Sequence, residues 1–120
     1  MKNRKLSERF GFAWAGILAA WKSEQSFRIQ TGFAAALLMA LLLLRPVLLW
    51  WALCFIMAVL VLAAELFNTA LETLIDHLHP EVHPAIRTAK DCAAGAVLLL
   101  SFGALAVGIA MLLAALSILP

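Results

Sequence analysis

Four polar residues of this chain could do chemistry together: Glu65, Asn68, Glu72 and Asp76. At 100° per residue they fall on one face of a helix. Glu65 and Glu72 are seven residues apart, two turns or about 10 Å along the axis. The face continues a run, Leu48 to Ala64, that holds no charged residue. A charge inside a bilayer costs at least about 2.5–3.5 kcal/mol at the helix centre, so intramembrane carboxylates usually face a bundle interior and have a function. Carboxylates at the membrane boundary (Glu24, Glu65, Glu72, Asp76) beside a Lys90-Asp91 pair suit a divalent cation and a polyphosphate. Hard oxygens hold Mg2+ next to substrate phosphates, and Lys neutralises phosphate charge. Phosphoryl transfer is mostly positioning and charge neutralisation, so a small constellation suffices. A carboxylate one or two turns deeper can take the proton of a lipid hydroxyl. Two other readings compete. Polar stripes in membrane helices serve as interhelical glue, although three carboxylates and an amide with no matching basic stripe fit that role poorly. An ion or proton path is the other, and three short helices make a poor pore unless the chain oligomerises.

Such a face needs a membrane helix to carry it. The chain has 120 residues, room for one domain. Hydrophobic residues make up 65% of it, charged residues 13%, and mean hydropathy is +1.00. That composition excludes a soluble domain of ordinary polarity and predicts an all-α integral membrane protein. The net charge of +2 is modest, and no nucleic-acid partner is expected. Cys54 and Cys92 sit in apolar helical context at a spacing that fits neither a metal site nor a redox motif, so both read as packing residues. No cleavable signal peptide is expected, because the first 30 residues alternate charged and apolar groups.

A basic start, residues 1–6, precedes an amphipathic helix expected over 7–25 with Ser7 as its N-cap. Phe10, Ala13, Trp14, Ile17, Leu18 and Trp21 recur at three- and four-residue steps, the pattern of a helix lying in the membrane interface. The first span is expected over 26–45, with a polar lead-in from which Arg28 can snorkel. Arg45-Pro46 makes a tight turn into the second span, 47–77, which opens on the interfacial Trp50-Trp51 pair. A Pro-broken polar loop covers 78–88, and the third span runs over 89–117. In that span Gly95, Gly103 and Gly108 permit close helix packing. Eight of the nine basic residues fall on one side of this layout, with only Arg45 on the other. Positive-inside therefore places the N-terminus in the cytoplasm and the C-terminus outside. No Walker A or kinase-type glycine loop is present, and His77, His79 and His83 read as solvated loop residues.

The run Glu65-Leu66-Phe67-Asn68-Thr69-Ala70-Leu71-Glu72-Thr73-Leu74-Ile75-Asp76, with Lys90-Asp91 fourteen positions on, resembles the signature of the small prokaryotic diacylglycerol kinase family. Ala20-Trp21-Lys22-Ser23-Glu24-Gln25-Ser26-Phe27-Arg28 is similar to that family's approach to its first span, and the likeness covers essentially the whole chain. The resemblance implies a homotrimer in the bacterial inner membrane that transfers the γ-phosphate of ATP to a membrane lipid alcohol, with Mg2+. It implies that Glu65 is the general base and Asn68 its polar support, and that Glu24 and Glu72 hold metal and ATP. A trimer fits the placement of these carboxylates, and Glu24 of one subunit is expected to meet Glu72 of another. Asp76, Lys90 and Asp91 would be nucleotide contacts, with Lys90 on phosphate, and Glu81 and His83 would meet the base or ribose. The family's N-terminal arginine matches Arg9, or Lys5 by strict spacing, and Phe12 stands at a nucleotide position where many members have Tyr. Trp14, Trp21, Phe27, Arg28 and Ala94 would line the lipid side together with Glu65. Ile29 stands where some lipid-recycling members have Gln. One branch of the family phosphorylates diacylglycerol and another undecaprenol. The chain carries features of both, and diacylglycerol is the favoured substrate.

Overall fold

A computed structural model of the chain describes residues 3–116. Met1 and Lys2 of the basic start, and Ser117 at the expected end of the third span, lie outside the described residues. Four helices follow one another: α1 (Leu6–Ser23), α2 (Gln25–Leu44), α3 (Leu48–Leu78) and α4 (Pro84–Ala115). The last three are each long and apolar enough to cross a membrane. α3 is central, packing on α4 along its length and on α2, while α1 touches both α2 and α3.

α1 starts one residue ahead of the expected Ser7 cap. Lys5 is its N-cap, in extended conformation, and no side chain caps the helix. Arg4 ties down this first turn instead, through an ion pair with Glu8 (3.6 Å) and a position over the Phe12 ring (6.0 Å). Glu24 alone separates α1 from α2, with φ −116° and ψ 108°. The first helix leaves its last carbonyls without intrahelical partners. Arg28 Nη1 donates to two of them, Trp21 O at 2.5 Å and Lys22 O at 3.2 Å. Trp21 meets Phe27 edge-on (6.5 Å, 86°), and Phe27 and Ala20 are buried beneath the corner.

Arg45 ends α2 in the left-handed conformation (φ 48°), with its N–H on Leu41 O. This is the residue normally supplied by glycine at a helix end. Pro46 then redirects the chain into α3. At this end of the bundle Leu41, Cys54 and Met111 form a small core, with Trp50 and Trp51 packed against it. A Cβ on Gly103 would lie 3.0 Å from Met57 Cε, so this glycine does let α3 and α4 approach closely; Gly95 has no neighbour within 4 Å of that position and plays no such part. Cys54 packs as expected, but Cys92 is exposed.

α4 begins at Pro84, upstream of the expected start at 89. The polar lead-in of residues 85–91 is helical, because Pro84 is pre-organised for the first helical position and the His83 ring caps it, accepting from Ala85 N (3.1 Å). The connection between α3 and α4 shrinks to residues 79–83. Side chains such as Leu43, Phe55 and Leu99 remain exposed on the outside of the bundle. In a bilayer lipid covers such faces at no cost.

Candidate active site

Glu65 is the buried charged residue of the bundle, 2% exposed. Its position follows from α3, which carries it one turn past the buried Val61 on the same face. Ser26, in the first turn of α2, donates from Oγ to Glu65 Oε1 at 2.6 Å. Among the described residues no cation pairs with this carboxylate. A buried ion costs several kcal/mol unless it is paired, and one hydroxyl offsets only part of that. An amide would serve as interhelical glue at lower cost than this carboxylate.

The same face of α3 then climbs towards solvent. Asn68 Nδ2 donates to Glu72 Oε1 at 3.5 Å, the limit of a hydrogen bond, and Asn68 Oδ1 is buried without a partner. Glu72 is half-buried and Asp76 is exposed. Asp76 Oδ1 accepts from Lys90 Nζ at 2.5 Å, which ties the end of α3 to the start of α4. Lys90 and Asp91 also line a notch of about 200 Å3 against the connecting loop, with His79, Glu81 and Arg87. Glu81 therefore borders the notch, whereas His83 spends its Nδ1 on the helix cap.

The structure thus brings Glu65, Asn68, Glu72 and Asp76 onto one face and joins Lys90 to it. Glu24 is half-buried at the α1–α2 corner, and no ion pair links it to that face within the described chain. Arg9, Phe12 and Trp14 are exposed on α1, Ala94 is exposed on α4, and Arg28 is occupied with the α1 carbonyls. Among the described residues no three Asp, Glu, His or Cys side chains converge as a metal cage. Mg2+ needs none, since it is normally bound by one or two carboxylates with substrate phosphates and water. Glu72, with only a 3.5 Å contact to Asn68, keeps most of its acceptor capacity for such a role.

Three polar residues outside the sequence-derived set belong to the same region. Ser26 holds Glu65, and Gln30 Nε2 donates to Ser101 Oγ at 2.9 Å, linking α2 to α4. Ser26 and Gln30 are four residues apart and share a helix face. That spacing was a visible signal, but their partners on α3 and α4 depend on which helices meet. The Gln30–Ser101 pair belongs to an otherwise apolar groove of about 480 Å3 between α2 and α4, floored by α3.

The profile of the prokaryotic diacylglycerol kinase family matches residues 11–112. A diacylglycerol kinase of Synechocystis sp. is 40% identical over 105 residues, covering 87% of this chain and 60% of the relative, so the chain spans less than two thirds of that protein's length. An undecaprenol kinase of Bacillus subtilis is 33% identical over 88 residues, covering 73% of this chain and 72% of the relative. A diacylglycerol kinase of Escherichia coli is 34% identical over 97 residues, covering 74% and 73%. The match extends from the middle of α1 through nearly all of α4, across every element that builds the Glu65 face, and the chain belongs to the prokaryotic diacylglycerol kinase family.

Proposed function

We propose that the protein is a membrane lipid kinase that transfers the γ-phosphate of ATP to the free hydroxyl of diacylglycerol, giving phosphatidic acid. The observation that carries this reading is the buried Glu65, paired with no cation among the described residues and held by Ser26 at the base of a polar face that rises to Lys90. Family membership and relatives named as diacylglycerol kinases support it.

Glu65 accepts the proton of the lipid hydroxyl as that oxygen bonds to the γ-phosphorus. The bond from γ-phosphorus to the β–γ bridging oxygen breaks, ADP leaves, and the proton is later released to water. Ser26 keeps Glu65 Oε1 engaged and leaves the other oxygen to the substrate. Lys90 exchanges Asp76 for phosphate, a charge-assisted contact, and the notch lined by Glu81 and Asp91 takes the rest of the nucleotide. Glu24 and Glu72 would hold Mg2+, which neutralises phosphate charge when bound. We place the chain in the bacterial inner membrane with its N-terminus in the cytoplasm, as a homotrimer in which Glu24 of one subunit faces Glu72 of another. A trimer would also close off the polar face, which one chain leaves partly open.

The test is phosphate transfer from Mg-ATP in mixed micelles, with diacylglycerol and undecaprenol supplied separately and then in competition. Preference for diacylglycerol is expected. Preference for undecaprenol, the substrate in the Bacillus subtilis relative's name, would keep the site and change its substrate. No transfer to either from folded protein would overturn the kinase reading in favour of a non-catalytic channel or assembly subunit.

A further inference from the structure

The groove between α2 and α4 is apolar along its walls except at one place. Gln30 and Ser101 are its polar lining residues, and Gln30 Nε2 donates to Ser101 Oγ. That bond uses one of the two amide N–H groups, so the second N–H and the serine O–H remain as donors. The depth of the pair relative to Glu65 is fixed by both helices. Ser26, which donates to Glu65, precedes Gln30 by four residues on one face of α2, and Val61, which lines the groove, precedes Glu65 by four on α3. Four residues are about 6 Å of helix. The groove therefore leads away from Glu65 into the bilayer, with the Gln30 amide about one turn down it.

We infer that Gln30 and Ser101 recognise the ester linkage of the lipid, and so make the chain selective for an acylated glycerol over a polyprenyl alcohol. The inference rests on the lipid-kinase reading, with the reacting hydroxyl at Glu65. In a diacylglycerol the ester carbonyl oxygens are about five and six bonds from the free hydroxyl, roughly 4–6 Å at ordinary bond lengths. With the hydroxyl at Glu65, a carbonyl falls at the depth of the two remaining donors and the acyl chain continues along the apolar groove. A polyprenyl alcohol presents only hydrocarbon at that depth and leaves the donors unmatched. Unmatched buried donors are what allow a site to reject a substrate lacking their partner. If the pair were only interhelical glue, it would not distinguish one lipid from another.

The experiment compares dioleoylglycerol, its dioleyl ether analogue and undecaprenol as substrates of the full chain in mixed micelles. The ether keeps the chains and the hydroxyl and lacks only the carbonyls. Wild type is expected to prefer the diester to the diether about five- to tenfold in kcat/KM, the worth of one hydrogen bond. Gln30→Leu and Ser101→Ala should lower the diester rate by that factor and leave the diether rate within about twofold. Gln30→Met, which removes the amide donors at similar size, should do the same. Equal use of diester and diether by wild type, a comparison that requires no variant to fold, would overturn the inference while leaving the kinase reading intact. So would variants that lower both rates in parallel. Transfer to none of the three lipids would overturn the kinase reading itself, and the inference with it.

Discussion

Replacing Ser26 with Ala removes a single hydroxyl and tests whether the Ser26–Glu65 contact matters to the reaction. The contact is short, 2.6 Å, and its acceptor is a carboxylate only 2% exposed. A hydrogen bond to a charged group contributes about 1.5–3 kcal/mol net. At 1.36 kcal/mol per factor of ten, full expression of that energy in the transition state lowers kcat about 10- to 150-fold. The physical cause is geometric, because a carboxylate freed to rotate no longer presents one oxygen to the substrate, and small misplacements of a reacting group are costly. Steady-state transfer from Mg-ATP to dioleoylglycerol is the assay. kcat should fall within that range while KM for ATP stays within about twofold, since Lys90 and the loop notch are untouched. Ser26→Thr retains the hydroxyl and should restore kcat to within about threefold of wild type. Glu65→Gln removes the proton acceptor and should itself cost about 10^2–10^4 in kcat. In that background Ser26→Ala should cost no more than about twofold further, because the two residues act as one unit. A kcat for Ser26→Ala within twofold of wild type, or a full additional loss in the Glu65→Gln background, would refute the coupling.

Lys90→Ala should raise KM for ATP at least about tenfold through loss of a charge-assisted phosphate contact. It should destabilise the fold by no more than about 1 kcal/mol in denaturant titration, because the Lys90–Asp76 pair is substantially exposed, 35% and 62%. Chelation of Mg2+ should stop transfer reversibly and leave circular dichroism and oligomer size unchanged, since no cage of three or more protein ligands occurs among the described residues. Loss of helical signal on chelation would contradict that. Gly103→Leu should destabilise the α3–α4 contact by about 1–3 kcal/mol in thermal unfolding, as overpacking does, because even a Cβ there meets Met57 Cε at 3.0 Å. Gly95→Ala, with open space around it, should be neutral within about 0.5 kcal/mol.

The membrane architecture was legible because its signals are strong and local. Three apolar stretches, a Pro-marked turn and a Pro-broken loop place α2, α3 and α4 to within a few residues, apart from the start of α4. There the polarity of residues 85–88 argued for loop, and the Pro84 position with the His83 cap argued for helix; the local backbone chemistry prevailed. The shared face of Glu65, Asn68, Glu72 and Asp76 was legible for the same reason, since helical phase depends on spacing alone. Ser26, Gln30 and Ser101 were not, because their importance lies in contacts separated by 39 and 71 positions, which spacing within one helix cannot reveal. The exposure of Cys92 was equally hidden, because apolar context within one helix does not say which face the neighbouring helices cover.

On the proposed lipid-kinase reading, the four-residue set on α3 would explain how a chain without a phosphate-binding glycine loop holds both ends of a phosphoryl transfer. The two reactants differ in where they can be. A lipid hydroxyl cannot leave the membrane boundary, and a nucleotide with its metal cannot enter it. α3 has 31 residues, about 46 Å of helix, against a hydrocarbon core of about 30 Å. The excess carries one helical face unbroken from hydrocarbon into water. Burial falls along it in the order the proposed chemistry would require: Glu65 is enclosed, Glu72 is half-buried and Asp76 is exposed. Lys90 then reaches the face from α4, which starts at Pro84 and so is already helical at the position proposed to meet the phosphates. On that reading helix length and phase would do the positioning that soluble kinases assign to loops, and few residues would suffice because phosphoryl transfer asks mainly for position and charge.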